Sequence, residues 1–189
     1  MRTADVDILM LPGWTGAGPD HWMSRWEGKL KTARRVRQDD WEMVDEAKWT
    51  ARTLEAIAAA SKPVVLVAHD CGVATVVHAA TRITGGRVVA AFLVAPMSEA
   101  ACARLPQMNP NFMPFPRDPL PFPSLLVASR TDVHCSYDEA GDLALAWGST
   151  LIDAGDVAHL DSASGHGPWP EGVMRLGLFL QHLGPAQSS

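Results

Sequence analysis

The chain predicts an α/β fold, with a mostly parallel sheet of about six strands and helices on both faces. Three observations predict it. Apolar runs alternate with helical patterns from end to end, as βαβ units do. The length of 189 residues can bury such a sheet under two helical layers. Eight of the fourteen prolines crowd the segment between Pro96 and Pro123, which forbids a long helix there and so excludes a large helical cap. No internal repeat or linker divides the chain, so residues 1–189 are expected to form one domain.

The first strand is Asp7-Ile8-Leu9-Met10-Leu11, broken by Pro12-Gly13. A helix with Asp20 as N-cap follows through Trp22, Trp26 and Leu30, whose spacing of four makes one apolar stripe. Arg35 to Gln38 reads as a short edge-like strand, and Glu46 to Ala60 as a helix. Val64 to Val67 is a β-branched strand that ends in the polar triplet His69-Asp70-Cys71, where a small-residue helix to about Ala80 begins. Arg87 to Ala95 and Ser124 to Ser129 are the next strands, with the proline-rich rim between them. Ser136 and Glu139 form a capping box for a helix to Trp147. Ser149 to Ile152 is the last strand. Glu171 to Leu183 is the closing helix, with Pro170 at its first position and a frayed tail from Gly184 to Ser189.

Composition narrows the partners. The formal net charge is −5 and the longest basic run is Arg34-Arg35, so neither nucleic acid nor an anionic membrane surface is expected. The start, Met1-Arg2-Thr3-Ala4-Asp5, has an acid where a signal peptide needs its apolar core, and no apolar run approaches a membrane span. Cys71, Cys102 and Cys135 are an odd set without metal-ligand spacing, which suits a reducing compartment. A cytoplasmic location is expected, with no cofactor and no metal.

Ligands of a doubly wound sheet bind beyond the carboxyl ends of the strands. There the chain places Pro12-Gly13-Trp14-Thr15-Gly16-Ala17-Gly18, then Asp70, then Arg130-Thr131-Asp132, then Gly155-Asp156-Val157-Ala158-His159. A nucleophile candidate, an acid and a histidine in that chain order match the α/β-hydrolase succession of roles. Small residues two before and two after residue 70 (Ala68 and Gly72) suit the sharp strand–turn–helix elbow of that fold. The backbone N–H groups of Trp14 and Cys71 would form the oxyanion hole.

The sequence resembles a family at Leu11-Pro12-Gly13-Trp14, Asp20-His21-Trp22, Arg25-Trp26, Gln38-Asp39-Asp40-Trp41, Ala128-Ser129-Arg130-Thr131-Asp132 and Ala158-His159, continuing through Ser164-Gly165-His166-Gly167-Pro168-Trp169-Pro170. These motifs are similar to those of the small serine hydrolases related to retinoblastoma-binding protein nine and to bacterial YdeN. The resemblance spans nearly the whole chain. It implies a compact α/β hydrolase without a lid, with His159 as base, Asp132 orienting it, and His21 and Trp169 near the mouth as substrate-binding residues. The family's H-S-L-G elbow corresponds to His69-Asp70-Cys71-Gly72, so aspartate stands where the family has its serine, and Ala158 stands where the family usually has glycine.

An elbow aspartate changes the chemistry. A carboxylate is already ionised at neutral pH and needs no base to activate it. On an ester it would form an uphill mixed anhydride. On a saturated carbon it gives a stable alkyl ester, which His159 could hydrolyse by activating water. Such alkyl hydrolases also assist the leaving group. Here the Trp14 indole is the candidate for a halide, while the lone tyrosine, Tyr137, is badly placed for an epoxide. The alternative is a silenced scaffold that binds a small ligand or a protein partner, with His159 held as imidazolium between Asp70 and Asp132. Hydrogen bonds from His159 to both carboxylates would fit silence. A gap to Asp70 wide enough for water would fit hydrolysis.

Plainer roles fit several other residues. Cys71 is expected as a buried, inert thiol, His69 as packing beside the elbow, and His134 and His166 as solvated loop histidines. Trp22, Trp26, Trp41 and Trp49 are expected to pack in the core or rim.

Overall fold

A computed structural model describes residues 1–183. Six parallel strands form one sheet in the order β2-β1-β3-β4-β5-β6. They are β1 (Asp7–Leu11), β2 (Ala33–Arg35), β3 (Val64–Asp70), β4 (Val88–Pro96), β5 (Ser124–Ala128) and β6 (Thr150–Asp153). The helices are α1 (Trp22–Lys29), α2 (Glu46–Ala58), α3 (Cys71–Ala80), α4 (Glu99–Ala103), α5 (Tyr137–Trp147) and α6 (Pro170–His182).

Strand side chains alternate between two cores, as a two-residue period dictates. Leu9, Leu11, Val64, Leu66, Ala68, Leu93 and Leu126 face one core with α2, α3 and α5. Ile8, Met10, Val65, Val67, Phe92, Val94 and Val127 face the other with α1 and α6. Both faces are covered, which is why the central strands carry almost no polar side chains.

Several boundaries differ from the sequence expectation. The short strand is Ala33–Arg35 rather than 35–38, because β1 offers Ile8, Leu9 and Met10 as partners to residues 33, 34 and 35. The N-cap of α1 is His21, one residue after Asp20; Asp20 pairs instead with Arg25. The strand before the elbow extends to Asp70 rather than stopping at Val67, since β4 pairs with it to its end. The rim between β4 and β5 holds one five-residue helix and a single 3-10 turn at Pro110–Phe112. The Ser136–Glu139 capping box and Pro170 at the first position of α6 stand as expected. The tail from 184 to 189 lies outside the described residues.

From β1 the chain moves outward to β2, then returns to place β3 on the opposite side of β1. Successive connections therefore diverge between β1 and β3, and this opens a crevice at their carboxyl ends. Trp14 and Asp70 lie there. Among the described residues, no helix is long and apolar enough to cross a membrane.

Candidate active site

Strand β3 passes straight into α3, and Asp70 is the joint, with φ 56° and ψ −127°. Such a conformation costs a non-glycine residue on the order of 1–3 kcal/mol and persists only where the surroundings impose it. Two glycines impose it here. A Cβ on Gly72 would lie 2.0 Å from the carbonyl oxygen of Leu11, so α3 packs directly against the end of β1. A Cβ on Gly13 would lie 2.0 Å from the Asp70 Oδ2. Glycine at both positions makes room for the bent elbow and for the carboxylate it carries.

That carboxylate has two distinct oxygens. Oδ2 accepts the backbone N–H of Trp14 at 3.0 Å. Oδ1 lies 3.8 Å from Nε2 of His159 and accepts the Cys71 thiol at 3.6 Å. The Cys71 N–H opens α3, where first-turn donors lack an intrahelical acceptor. Burial raises the Asp70 pKa above the usual carboxylate value, against the opposing pull of His159 and the Trp14 N–H.

His159 sits in the irregular segment after β6, between Ala158 at φ 49° and Leu160 at φ 54°. Hydrogen bonds hold that path. The Ser129 hydroxyl accepts from the Val157 N–H at 3.1 Å and the Thr131 hydroxyl from the Ala158 N–H at 3.0 Å. Nε2 of His69 bonds the His159 carbonyl at 2.8 Å, and the Trp22 indole donates to the Leu160 carbonyl at 2.9 Å. Nδ1 of His159 meets the Asp132 oxygens at 2.9 and 3.1 Å. Asp132 also accepts the His134 N–H, which completes its hydrogen bonding. Burial disfavours the imidazolium, but the Asp132 hydrogen bond and the charges of Asp70 and Asp132 outweigh it, so the His159 pKa is raised.

Asp70, Asp132 and His159 are therefore brought together, yet neither sequence alternative for the Asp70–His159 contact holds. Nε2 is neither hydrogen-bonded to Asp70 nor separated from it by the width of a water; 3.8 Å is an ion-pair distance.

A cavity of about 410 Å³ opens over this group, in the range of small-molecule sites. Its walls are residues 12–18, His21, His69, Asp70, Met97, Leu105, His134, His159 and residues 161–163. His21 lines it, but Trp169 does not. The Trp169 ring is buried, stacked on Trp26 at 5.8 Å and edge-on to Trp22 at 5.0 Å, so it belongs to the core. The Trp14 indole donates to the Glu42 carbonyl at 3.1 Å and is not free for a halide. His134 is a half-buried loop residue, and its ring lies 4.5 Å from that of His159 on the cavity wall. His166 is half-buried beside Ser164, outside the lining. The Cys71 thiol is buried, with its pKa pushed up chiefly by contact with Cys102 and by burial. Trp22, Trp26 and Trp49 are core residues, and Trp41 packs edge-on to Trp49 at the rim.

Asp161, Met97 and Leu105 are wall residues that the sequence reading missed. Asp161, two residues beyond His159, had a usable local signal. The other two come from loops whose paths only the assembled fold defines.

Residues 8–178 match the family model described as serine hydrolase. Among solved structures, a YdeN-like hydrolase from Pectobacterium atrosepticum is 28% identical with a TM-score of 0.85, over 97% of this chain and 95% of that one. The ydeN gene product from B. subtilis is 14% identical with a TM-score of 0.75, over 92% and 98%. Thermogutta terrifontis esterase 2 is 16% identical with a TM-score of 0.68, over 100% and 88%. No curated protein sequence matches the chain.

Proposed function

This chain belongs to the serine hydrolase family, and on that premise we propose that it is a hydrolase of small molecules acting through Asp70, His159 and Asp132. Its YdeN-like and esterase neighbours support esterase-like chemistry in general. An aspartate at the elbow narrows this to attack on a saturated carbon that bears a leaving group.

The seat of the Asp70 carboxylate carries the proposal. Oδ2 is held by the Trp14 N–H, as a carbonyl oxygen in an oxyanion hole would be, while Oδ1 faces His159 and the cavity. In the first step Oδ1 bonds to the substrate carbon, and the leaving group departs as an anion with the electron pair of its bond to that carbon. Alkylation removes the Asp70 charge, one of the two that raise the His159 pKa, so any proton on Nε2 passes to solvent and the imidazole becomes a base. In the second step water adds to Asp70 Cγ as Nε2 takes its proton. The charge develops on the oxygen that Trp14, together with the Cys71 N–H, would stabilise. Collapse breaks the ester bond and passes the proton on Nε2 to the departing alkoxide; the carboxylic acid left at Asp70 then gives its proton to Nε2, which regenerates the carboxylate. Asp132 keeps Nδ1 protonated and the ring in place throughout.

The test uses 1-bromobutane. The native chain is expected to release bromide, and Asp70→Ala to release none. In His159→Gln the alkyl ester should accumulate, adding one butyl group that maps to Asp70 by mass spectrometry.

A second reading has its own support. Asp70 already occupies the Trp14 donor, and two carboxylates raise the His159 pKa, as in a silenced site that binds a ligand or a protein partner. Absence of both bromide release and adduct, with p-nitrophenyl acetate turnover appearing only in Asp70→Ser, would decide for it.

A further inference from the structure

We infer that the cavity selects uncharged substrates carrying a hydrogen-bond acceptor, and that His21 reads that acceptor. This deepens the alkyl-transfer proposal and rests on it.

His21 is 6% exposed and lines the cavity. Its Nδ1 accepts the Met23 N–H at 3.2 Å, capping α1, so that nitrogen carries no proton. Burial, only partly opposed by the charge of Asp161, lowers its pKa to about 4. The ring is then neutral at physiological pH, and its one proton is on Nε2. Among the described residues Nε2 has no hydrogen-bond partner. It is not sealed from solvent, so a substrate atom in the cavity can take the place of water as its acceptor.

The charges along the wall point the same way. Asp70 and Asp161 both line the cavity, and among the described residues its walls contain no Lys or Arg. Hydrogen bonds from Ser164 outweigh burial at Asp161 and keep its pKa low, so it stays ionised. The His159 imidazole already faces two carboxylates. A substrate carboxylate or phosphate would find no free counter-charge and would meet two like charges. A neutral hydroxyl, ether or carbonyl oxygen meets neither penalty and supplies the acceptor that Nε2 lacks.

Three bromides of similar size test this: 3-bromopropan-1-ol, 1-bromobutane and 3-bromopropanoate. The alcohol should be favoured over 1-bromobutane by about tenfold in kcat/KM, the scale of one good hydrogen bond. The propanoate should trail the alcohol by more than that. His21→Asn retains an N-cap residue but withdraws the Nε2 donor. It should raise KM for the alcohol about tenfold with kcat little changed, and cost 1-bromobutane clearly less than that. Asp161→Asn should narrow the gap to the propanoate. Equal losses on alcohol and alkane in His21→Asn, or a preference for the propanoate, would overturn the proposal. Absence of bromide release from all three would instead remove the alkyl-transfer step. His21 is then judged by NMR on Asp70→Asn, where adding 3-bromopropan-1-ol should move the His21 Nε2–H resonance, and a resonance that stays put refutes the assignment.

Discussion

Two segments of the site hold non-glycine residues at positive φ, and they are held in opposite ways. At the elbow, Asp70 is fixed by contact: Gly13 and Gly72 leave no space for even one added carbon. At the histidine segment, Ala158 and Leu160 are fixed by backbone hydrogen bonds to the Ser129 and Thr131 hydroxyls and from the Trp22 indole, and Ala158 itself is solvent-exposed. One end of the constellation is thus set by steric exclusion within a packed sheet. The other hangs on directional bonds across loops. The elbow should resist local opening while the histidine segment opens more readily, since exposed, hydrogen-bonded loops lie at the low end of local stability.

Substitutions can break this contrast. The largest effect should come from Gly72→Ala, whose Cβ would collide with the Leu11 carbonyl. A loss of about 3 kcal/mol or more in urea unfolding is expected, and a loss below 1 kcal/mol would mean the elbow yields. Ser129→Ala removes the acceptor that serves the Thr131 and Val157 N–H groups. It should cost about 1–2 kcal/mol and increase hydrogen exchange at residues 157–160, leaving α3 protected.

A third measurement sharpens the contrast through charge. The folded-state pKa of His159 is raised, so its pairing contributes stability fully below the unfolded value and loses it as pH rises through the folded one. Asp70→Asn deletes one of the charges that raise it. The NMR midpoint of His159 should fall, and the pH window of lost stability should move down with it. An unchanged midpoint would mean that Asp70 does not act on the imidazole. The smallest effect has the opposite sign. Ala158→Gly removes a positive-φ strain at an exposed position and should add up to about 1 kcal/mol, read as a rise in Tm.

The elbow was legible in the sequence because its determinants are neighbours: a β-branched run, Ala68, Gly72 and a small-residue helix within a dozen positions. The order of Asp70, Asp132 and His159 was legible because each follows a strand. Trp169 was placed near the mouth by the family resemblance, whereas the fold stacks its ring on Trp26 in the layer shared by α1 and α6. Asp161 follows His159 closely enough to be read locally, whereas His134 reaches the cavity only once β5 is paired into the sheet. The Trp14 indole went wrong for the same reason: its partner, the Glu42 carbonyl, belongs to a segment without regular structure.

Trp14 also provides an intrinsic optical reporter. Of the seven tryptophans, Trp22, Trp26, Trp49, Trp147 and Trp169 are buried, and Trp14 is the one on the cavity wall. Its emission should respond to whatever fills the space beside Asp70, while the buried indoles provide a steady background. Trp14→Phe would extinguish that response yet keep the backbone amide, so occupancy can be followed in real time without labels and checked against its own blank.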